Sequence, residues 1–392
     1  MPHITVKPFD TSIIEKKSYI NTKVIFKSKD LLSQDELIGV EVKGSKFLLY
    51  IKKSEKNWLF KYDKVTRPLD VNLVKEAIDN ISSKLNLEII NSNIAINQTK
   101  TKLANSFEKR IEDFSDIKFP FSRVSIEVGF GSGKHLLYQA EKNPNELFIG
   151  IEIHTPSAQQ VLRQIELKSL KNIWVINYDA RLLLEIIPSN SIHKIFVHFP
   201  VPWDKKPQRR VISPSFLNES IRVLEQGGRL ELRTDSYKYF WYSLETFLGE
   251  NVLKTSLEVR KNESLDITSK YEARWLRQDK DIYDVFVTSL EESKERVFDF
   301  DFTFNSIKYK DTLLDKISKK PMVFDSFFIH FERFYRVDKS TILLKLAFGS
   351  FNRSEHKYII IDNKKSYYFG QNPVKTLTNY KTHLKIEEYL NV

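Results

Sequence analysis

Three glycines on alternate positions follow a short apolar segment that contains an acidic residue. The segment 124–128 reads Val-Ser-Ile-Glu-Val, and Gly129, Gly131 and Gly133 come directly after it. Glycines in such a loop let the backbone approach a ligand closely and adopt torsion angles that a Cβ atom disfavours. Nineteen residues beyond Gly133, Glu152 ends a second apolar segment, where an acid can accept hydrogen bonds from a ribose. The spacing therefore predicts a site for a nucleoside-containing cofactor.

Glu127, just ahead of the glycines, indicates which cofactor this is. A dinucleotide site favours Gly-x-Gly-x-x-Gly with a pyrophosphate at the helix N-terminus. In this chain the last glycine comes two positions after the middle one, and Lys134 takes the place of the third glycine. A carboxylate repels phosphates but attracts the ammonium and sulfonium groups of S-adenosylmethionine. The pattern therefore favours S-adenosylmethionine and methyl transfer, with a nicotinamide-dependent oxidoreductase as the alternative.

The middle of the chain must position these residues, and it alternates strand and helix signals in the manner of βαβ units. The predicted strands cover 124–128, 147–152, 173–176, 194–198 and 229–233. The carboxyl ends of parallel strands share one edge of a sheet, where open α/β folds bind ligands. Glu127, Glu152, Asp179 and Asp235 lie at or near strand ends, so we expect them to surround one crevice.

The flanking regions have a different sequence pattern, with short β-like runs and many aromatic residues, such as the alternating segment 297–304. We therefore predict an α/β protein with three domains. A doubly wound, Rossmann-like sheet covers 111–292, and smaller β-rich or α+β accessory domains cover 1–110 and 293–392.

Composition limits the compartment and the partners. The chain of 392 residues has no cysteine, which excludes disulfides and thiolate zinc sites, and we expect no metal. Its apolar runs are too short to span a bilayer, and its first residues do not form a secretion signal, so we expect a cytoplasmic protein without a membrane partner. The net charge of +11 is typical of nucleic-acid binding, although Lys-rich proteomes also give basic proteins. The oligomeric state stays open.

Several segments between about 120 and 290 resemble, in order, the bacterial tRNA (guanine-N7-)-methyltransferases. They are Glu127–Gly133, Phe148–His154, Asp179–Ala180, His198–Lys205, Gln208–Arg210, Thr234–Asp235 and Ser269–Glu272. The glycine loop alone indicates only a class I methyltransferase, whereas Phe-Pro-x-Pro-Trp-x-Lys followed by paired arginines is a narrower signal. Because the flanking regions do not match compact family members, the resemblance implies an enlarged branch with extra N- and C-terminal domains.

The resemblance implies transfer of a methyl group from S-adenosylmethionine to N7 of a guanine in the variable loop of tRNA. It implies that Glu152 holds the cofactor ribose and that Asp179 lies near the adenine. The full set of implied cofactor positions is Glu127, Gly129, Gly131, Gly133, Glu152, Asp179 and Val201. The residues that it implies for tRNA and the target guanine are Lys205, Asp235, Ser269, Lys270, Tyr271 and Glu272.

The segment 203–210 is the candidate RNA contact. It carries four cations, Lys205, Lys206, Arg209 and Arg210, which can contact phosphates without reading sequence. Trp203 can stack on an extruded base, because chemistry on a nucleobase usually takes that base out of its stack. The alternative is a solvated basic turn with Trp203 as a core anchor.

Val201 departs from the resembled family, which usually has Asp at this position. The departure is tolerable because guanine N7 carries a free lone pair and no proton, so its methylation requires no general base. We predict that Asp235 is the principal acid facing the base, with Asp204 as the second candidate. The alternative that Val201 raises is a catalytically silent RNA-binding protein that retains the fold.

Overall fold

The computed structural model describes residues 2–95, 104–115, 117–249, 254–267, 280–305, 307–310, 313–318 and 320–391. They divide between two compact units, one formed by 1–99, 299–373 and 377–392 and the other by 100–298 and 374–376. The two flanking regions that the sequence predicts as separate accessory domains therefore both contribute to the first unit.

Strands outnumber helices among the described residues. The strands are β1 (His3–Val6), β2 (Ser18–Tyr19), β3 (Thr22–Asp30), β4 (Glu36–Val42), β5 (Ser45–Lys52), β6 (Trp58–Tyr62), β7 (Ile89–Ser92), β8 (Val124–Val128), β9 (Leu147–Ile151), β10 (Ile173–Ile176), β11 (Ile192–His198), β12 (Leu224–Thr234), β13 (Thr255–Lys261), β14 (Tyr283–Ser289), β15 (Met322–Val323), β16 (Phe328–Asp338), β17 (Thr341–Ser350), β18 (Arg353–Ile361) and β19 (Ser366–Tyr368). The helices are α1 (Val71–Lys84), α2 (Lys134–Lys142), α3 (Thr155–Lys168), α4 (Ala180–Ile186), α5 (Pro214–Val223), α6 (Tyr237–Leu248), α7 (Leu313–Lys316) and α8 (Leu377–Leu390). Within the described residues, none of these helices has the length and apolar character that crossing a membrane requires.

The first unit is built on one extended sheet with the strand order β19-β18-β17-β16-β3-β4-β5-β6-β1-β7. Its N- and C-terminal halves join where β3 pairs antiparallel with β16, with Asp30 opposite Tyr335 and Lys29 opposite Arg336. Alternate residues of β3 are buried, as expected for a strand that presents one face to a core. Both flanks of the chain therefore share a continuous hydrogen-bonded sheet.

The second unit contains a mostly parallel sheet with the strand order β10-β9-β8-β11-β12-β14-β13. The strands from β10 to β12 run parallel, and β14 is antiparallel to both of its neighbours. All five residues of β8 and of β9 are buried, which requires cover on both faces of the sheet. Chain order reverses between β8 and β11, and open α/β sheets bind ligands at such a switch point. The predicted doubly wound sheet is confirmed.

A buried ion pair ties the antiparallel strand to this parallel sheet. Arg233 on β12 lies opposite Asp284 on β14, and its Nη1 atom donates to both carboxylate oxygens at 2.7 Å. Its Nη2 atom donates to the Glu263 carbonyl oxygen, also at 2.7 Å. Both side chains are buried, so each charge depends on the other for compensation.

Replacing Asp284 with alanine should therefore destabilise the second unit strongly, because the Arg233 guanidinium loses its carboxylate while it stays buried. The expected fall in the free energy of unfolding is about 3–5 kcal/mol, measured by urea denaturation. The matched control is Asp266→Ala, which removes an exposed acid paired with Lys142 and should change stability little. Equal stability of the two variants would contradict a structural role for the buried pair.

Candidate active site

The glycine loop after β8 has a conformation that favours glycine at all three positions. The φ angles are +70° at Gly129, +54° at Gly131 and +72° at Gly133, in the left-handed region. A Cβ atom on Gly129 would meet no atom within 4 Å, and one on Gly131 would meet only the Gly129 carbonyl oxygen, at 4.0 Å. A Cβ atom on Gly133 would instead clash with Val161. The first two glycines thus border open space, and the third allows close packing against α3.

Glu152 follows β9 and fixes this loop. Its Oε2 atom accepts a hydrogen bond from the Gly131 N–H at 2.9 Å, and its Oε1 atom accepts one from the His154 N–H at 2.8 Å. The residue is only 8% exposed. Each carboxylate oxygen can accept a further hydrogen bond, so the group is a fixed anionic acceptor beside the glycines. Its binding of the ribose stays a prediction, for which this geometry is suitable.

Glu127 on β8 is a second buried carboxylate at the same edge. Its Oε2 atom lies 2.8 Å from Nδ1 of His135, and the other ring nitrogen of His135 lies 3.1 Å from the Gln139 side-chain nitrogen. With the imidazole proton on Nδ1, His135 donates to Glu127 and accepts from Gln139. This contact fixes the orientation of the Glu127 carboxylate. Sequence reasoning did not identify His135 as a partner of Glu127, although both lie on the elements that flank the glycine loop.

His198 at the end of β11 packs against the His135 ring. Its ring centroid lies 4.6 Å from that of His135 and 5.6 Å from that of Phe196. Burial lowers the pKa of His198 well below its ordinary value, and nearby His135 and Arg233 lower it further. His198 is therefore neutral at neutral pH and adds no positive charge beside His135.

Asp179 has a local structural role at the end of β10. It caps helix α4 by accepting the Arg181 N–H at 2.9 Å, and the Arg181 guanidinium contacts its Oδ2 atom at 2.6 Å. Nearby Asn177 donates to the Glu152 carbonyl oxygen at 2.6 Å, which joins the ends of β9 and β10. Contact between Asp179 and the adenine stays a prediction.

The segment after β11 contains two strained residues, Phe199 and Trp203, with φ angles of +49° and +47°. Buried Arg210 stabilises this segment. Its Nε atom donates to the Pro202 carbonyl oxygen at 2.8 Å, and its guanidinium lies 4.3 Å from the Tyr242 ring centre. This residue also approaches Asp204, with Nη2 3.5 Å from Oδ1. Arg210 thus holds the backbone of the segment.

The outer side of the same segment is exposed. Lys205 and Arg209 reach the surface, and the Arg209 guanidinium lies 5.2 Å from the centre of the Trp203 ring. Trp203 and Val201 are also exposed. Among the sequence-predicted RNA contacts in this segment, Trp203, Lys205 and Arg209 are accessible and Arg210 is buried.

Asp235 lies directly after β12, at the same edge as Glu127 and Glu152. Its side chain is partly buried, and Lys280 Nζ lies 3.1 Å from its Oδ2 atom. The predicted contacts Ser269, Lys270, Tyr271 and Glu272 lie outside the described residues. Glu127, Glu152 and Asp235 therefore lie at the carboxyl ends of parallel strands along one edge of the sheet.

The chain is related to known methyltransferases along its whole length. A family model described as "Putative methyltransferase" matches residues 122–285. A tRNA (guanine-N(7)-)-methyltransferase of Wolinella succinogenes is 38% identical over 397 residues, covering 100% of both chains. Proteins of the same name from Campylobacter fetus and Helicobacter acinonychis are 39% and 40% identical, covering 91% and 88% of this chain and 91% and 85% of their own.

These findings and the fold define a class I S-adenosylmethionine-dependent methyltransferase. The open space beside Gly129 and Gly131, together with two buried carboxylates, fits a cofactor that carries an ammonium and a sulfonium group. More narrowly, the chain belongs to the tRNA (guanine-N(7)-)-methyltransferase family.

Replacing Glu152 with glutamine should weaken S-adenosylmethionine binding. The substitution puts an NH₂ group in place of one carboxylate oxygen, and this NH₂ group would face a backbone N–H that donates to the carboxylate in the wild type. Charge-assisted hydrogen bonds of this kind contribute about 1.5–3 kcal/mol, so we expect Kd to rise about 10- to 150-fold in calorimetry. The control Glu141→Gln removes a partly exposed charge on α2 and should leave Kd unchanged. Equal affinities for the two variants would show that Glu152 does not shape the cofactor site.

Proposed function

We propose that the protein transfers the methyl group of S-adenosylmethionine to N7 of a guanine in tRNA, in the variable loop. The observation that carries this proposal is the relationship to proteins of that named activity over the full chain. We place the reaction in the cytoplasm, with tRNA as the macromolecular partner.

The reaction needs little acid–base chemistry from the protein. When bound, S-adenosylmethionine supplies a methyl group on a sulfonium that leaves as a neutral thioether. The lone pair of guanine N7 forms the new N–C bond as the S–C bond breaks, and no proton moves at N7. The positive charge passes from sulfur to the base. The protein must therefore align nucleophile, methyl carbon and sulfur, and must stabilise a base that becomes cationic.

Alignment is the proposed task of the edge between β8 and β9. Glu152 fixes the loop through Gly131, and Glu127 is fixed by His135, so neither carboxylate has to reorganise when the cofactor binds. Correct positioning of two reactants can lower a barrier by about 7–11 kcal/mol. These contacts supply the rigidity that such positioning requires.

Asp235 is the proposed acid facing the guanine. It lies at the end of β12, and its carboxylate can accept hydrogen bonds from the N–H groups on the Watson–Crick edge of guanine. Its negative charge also offsets the positive charge that develops on the base. Asp204 is the secondary candidate, because it is more exposed and approaches Arg210.

The segment 203–210 is the proposed contact to the RNA backbone. Lys205 and Arg209 are exposed and can neutralise phosphates, and Trp203 offers a ring for stacking. We assign Arg210 the separate task of holding the segment in place, because it is buried and bonded to Pro202.

An Asp235→Asn variant should bind S-adenosylmethionine like the wild type but methylate tRNA slowly. The asparagine amide has the shape of the carboxylate but lacks its negative charge. The expected fall in kcat is about 10²- to 10³-fold, the effect of removing one electrostatic contact to a transition state. The comparison variant Asp204→Asn should lose much less activity. A larger loss in Asp204→Asn than in Asp235→Asn would reverse the two assignments.

Methylation at N7 itself can be tested with two tRNA transcripts, one made with guanosine and one with 7-deazaguanosine, in which carbon replaces N7. With methyl-labelled S-adenosylmethionine, the guanosine transcript should accept label and the 7-deaza transcript should accept none, because it lacks the nucleophile. Native gel binding of both transcripts checks that each still associates with the protein. Label in the 7-deaza transcript would contradict attack by N7.

A further inference from the structure

Large aromatic side chains are exposed at the carboxyl end of β12. Tyr237 and Trp241, one turn apart on α6, are 57% and 48% exposed, with ring centroids 6.1 Å apart. Half-buried Tyr283 lies 5.8 Å from Tyr237 and stacks on buried Phe240 at 4.6 Å. We call Tyr237, Trp241 and Tyr283 the aromatic patch. Adjacent exposed rings of this size are typical of a binding surface.

The patch lies at the edge that carries the site. Tyr283 pairs with Thr234 on one side and with Lys261 on the other, so it stands where β12 ends. Tyr237 begins α6 two residues after Asp235. The rings are therefore close, along the chain and across the sheet, to the acid that we propose faces the guanine.

Lysines border the rings. Lys238 is exposed next to Tyr237, Lys280 pairs with Asp235, and Lys261 Nζ lies 5.9 Å from the centre of the Tyr283 ring. Lys261 also pairs with Asp281 at 2.9 Å, so the border is mixed in charge but carries three cations. Rings that can stack on bases, combined with cations that can contact phosphates, are the usual features of single-stranded nucleic-acid sites.

We propose that the aromatic patch binds unpaired nucleotides that flank the target guanine of tRNA, and this inference rests on the proposed function. A guanine drawn into the site leaves its neighbours without a stacking partner. Tyr237 and Trp241 offer their rings to those neighbouring bases, and the bordering lysines contact the connecting phosphates. Stacking of this kind tolerates sequence differences, because every base presents a π face.

The test compares Tyr237→Ala and Trp241→Ala with Tyr237→Phe and Trp241→Phe. Losing one ring should weaken binding of an unmodified tRNA transcript about 10-fold, and the phenylalanine variants should retain most of the affinity. Wild-type affinity for S-adenosylmethionine checks that each variant is folded. The matched control is Leu248→Ala, which removes a 73% exposed apolar side chain from the far end of α6 and should leave tRNA affinity unchanged.

Unchanged tRNA affinity in both alanine variants would overturn the inference. A shift in sedimentation with unchanged tRNA affinity would also overturn it, and would assign the patch to self-association. The proposed function is tested separately by the wild type. If the alanine variants lose tRNA affinity but the wild-type protein does not methylate guanine N7, the proposed function is wrong. The aromatic patch would then still be a tRNA-binding surface.

Discussion

The contact between Glu152 and the Gly131 N–H is the interaction on which the rest of the site depends. The glycine loop adopts three left-handed conformations within five residues, which only glycine adopts without a steric cost, and it needs an external partner to hold one arrangement. Glu152 supplies that partner from the adjacent parallel strand. Because β8 and β9 run parallel and in register, their carboxyl ends meet, and the loop and the acid come together as a consequence of topology.

The acidic side chains Glu127 and Glu152 make this site selective for a positively charged ligand. Burying carboxylates is unfavourable unless hydrogen bonds compensate them, and in this site His135 and two backbone N–H groups supply those hydrogen bonds. Neutral His198, which packs against His135, adds no competing cation. The carboxyl edge of the parallel sheet therefore suits a positively charged ligand. This explains why the acid Glu127 precedes the glycines, a position at which an acid would repel the phosphates bound by a phosphate-binding loop.

Much of the fold of the second unit could be predicted from sequence, because apolar runs and the spacing of the glycines indicate buried parallel strands. The partner of Glu127 was missed because a lone histidine carries no signal until α2 is docked on the sheet. The burial of Arg210 was missed because its neighbours in sequence are exposed cations, whereas its contacts with Pro202 and Tyr242 depend on tertiary packing. In the first unit, the pairing of Asp30 with Tyr335 joins strands from opposite ends of the chain, which no local pattern encodes.

We infer that the edge of the parallel sheet selects a cationic methyl donor over a phosphate-bearing dinucleotide. Calorimetric titration of the wild-type protein with S-adenosylmethionine and, separately, with NAD distinguishes these two kinds of ligand. We predict saturable binding of S-adenosylmethionine at one site per chain and no binding of NAD under the same conditions. Binding of NAD in preference to S-adenosylmethionine, or no response to the methyl donor, would show that this edge does not select a cationic methyl donor.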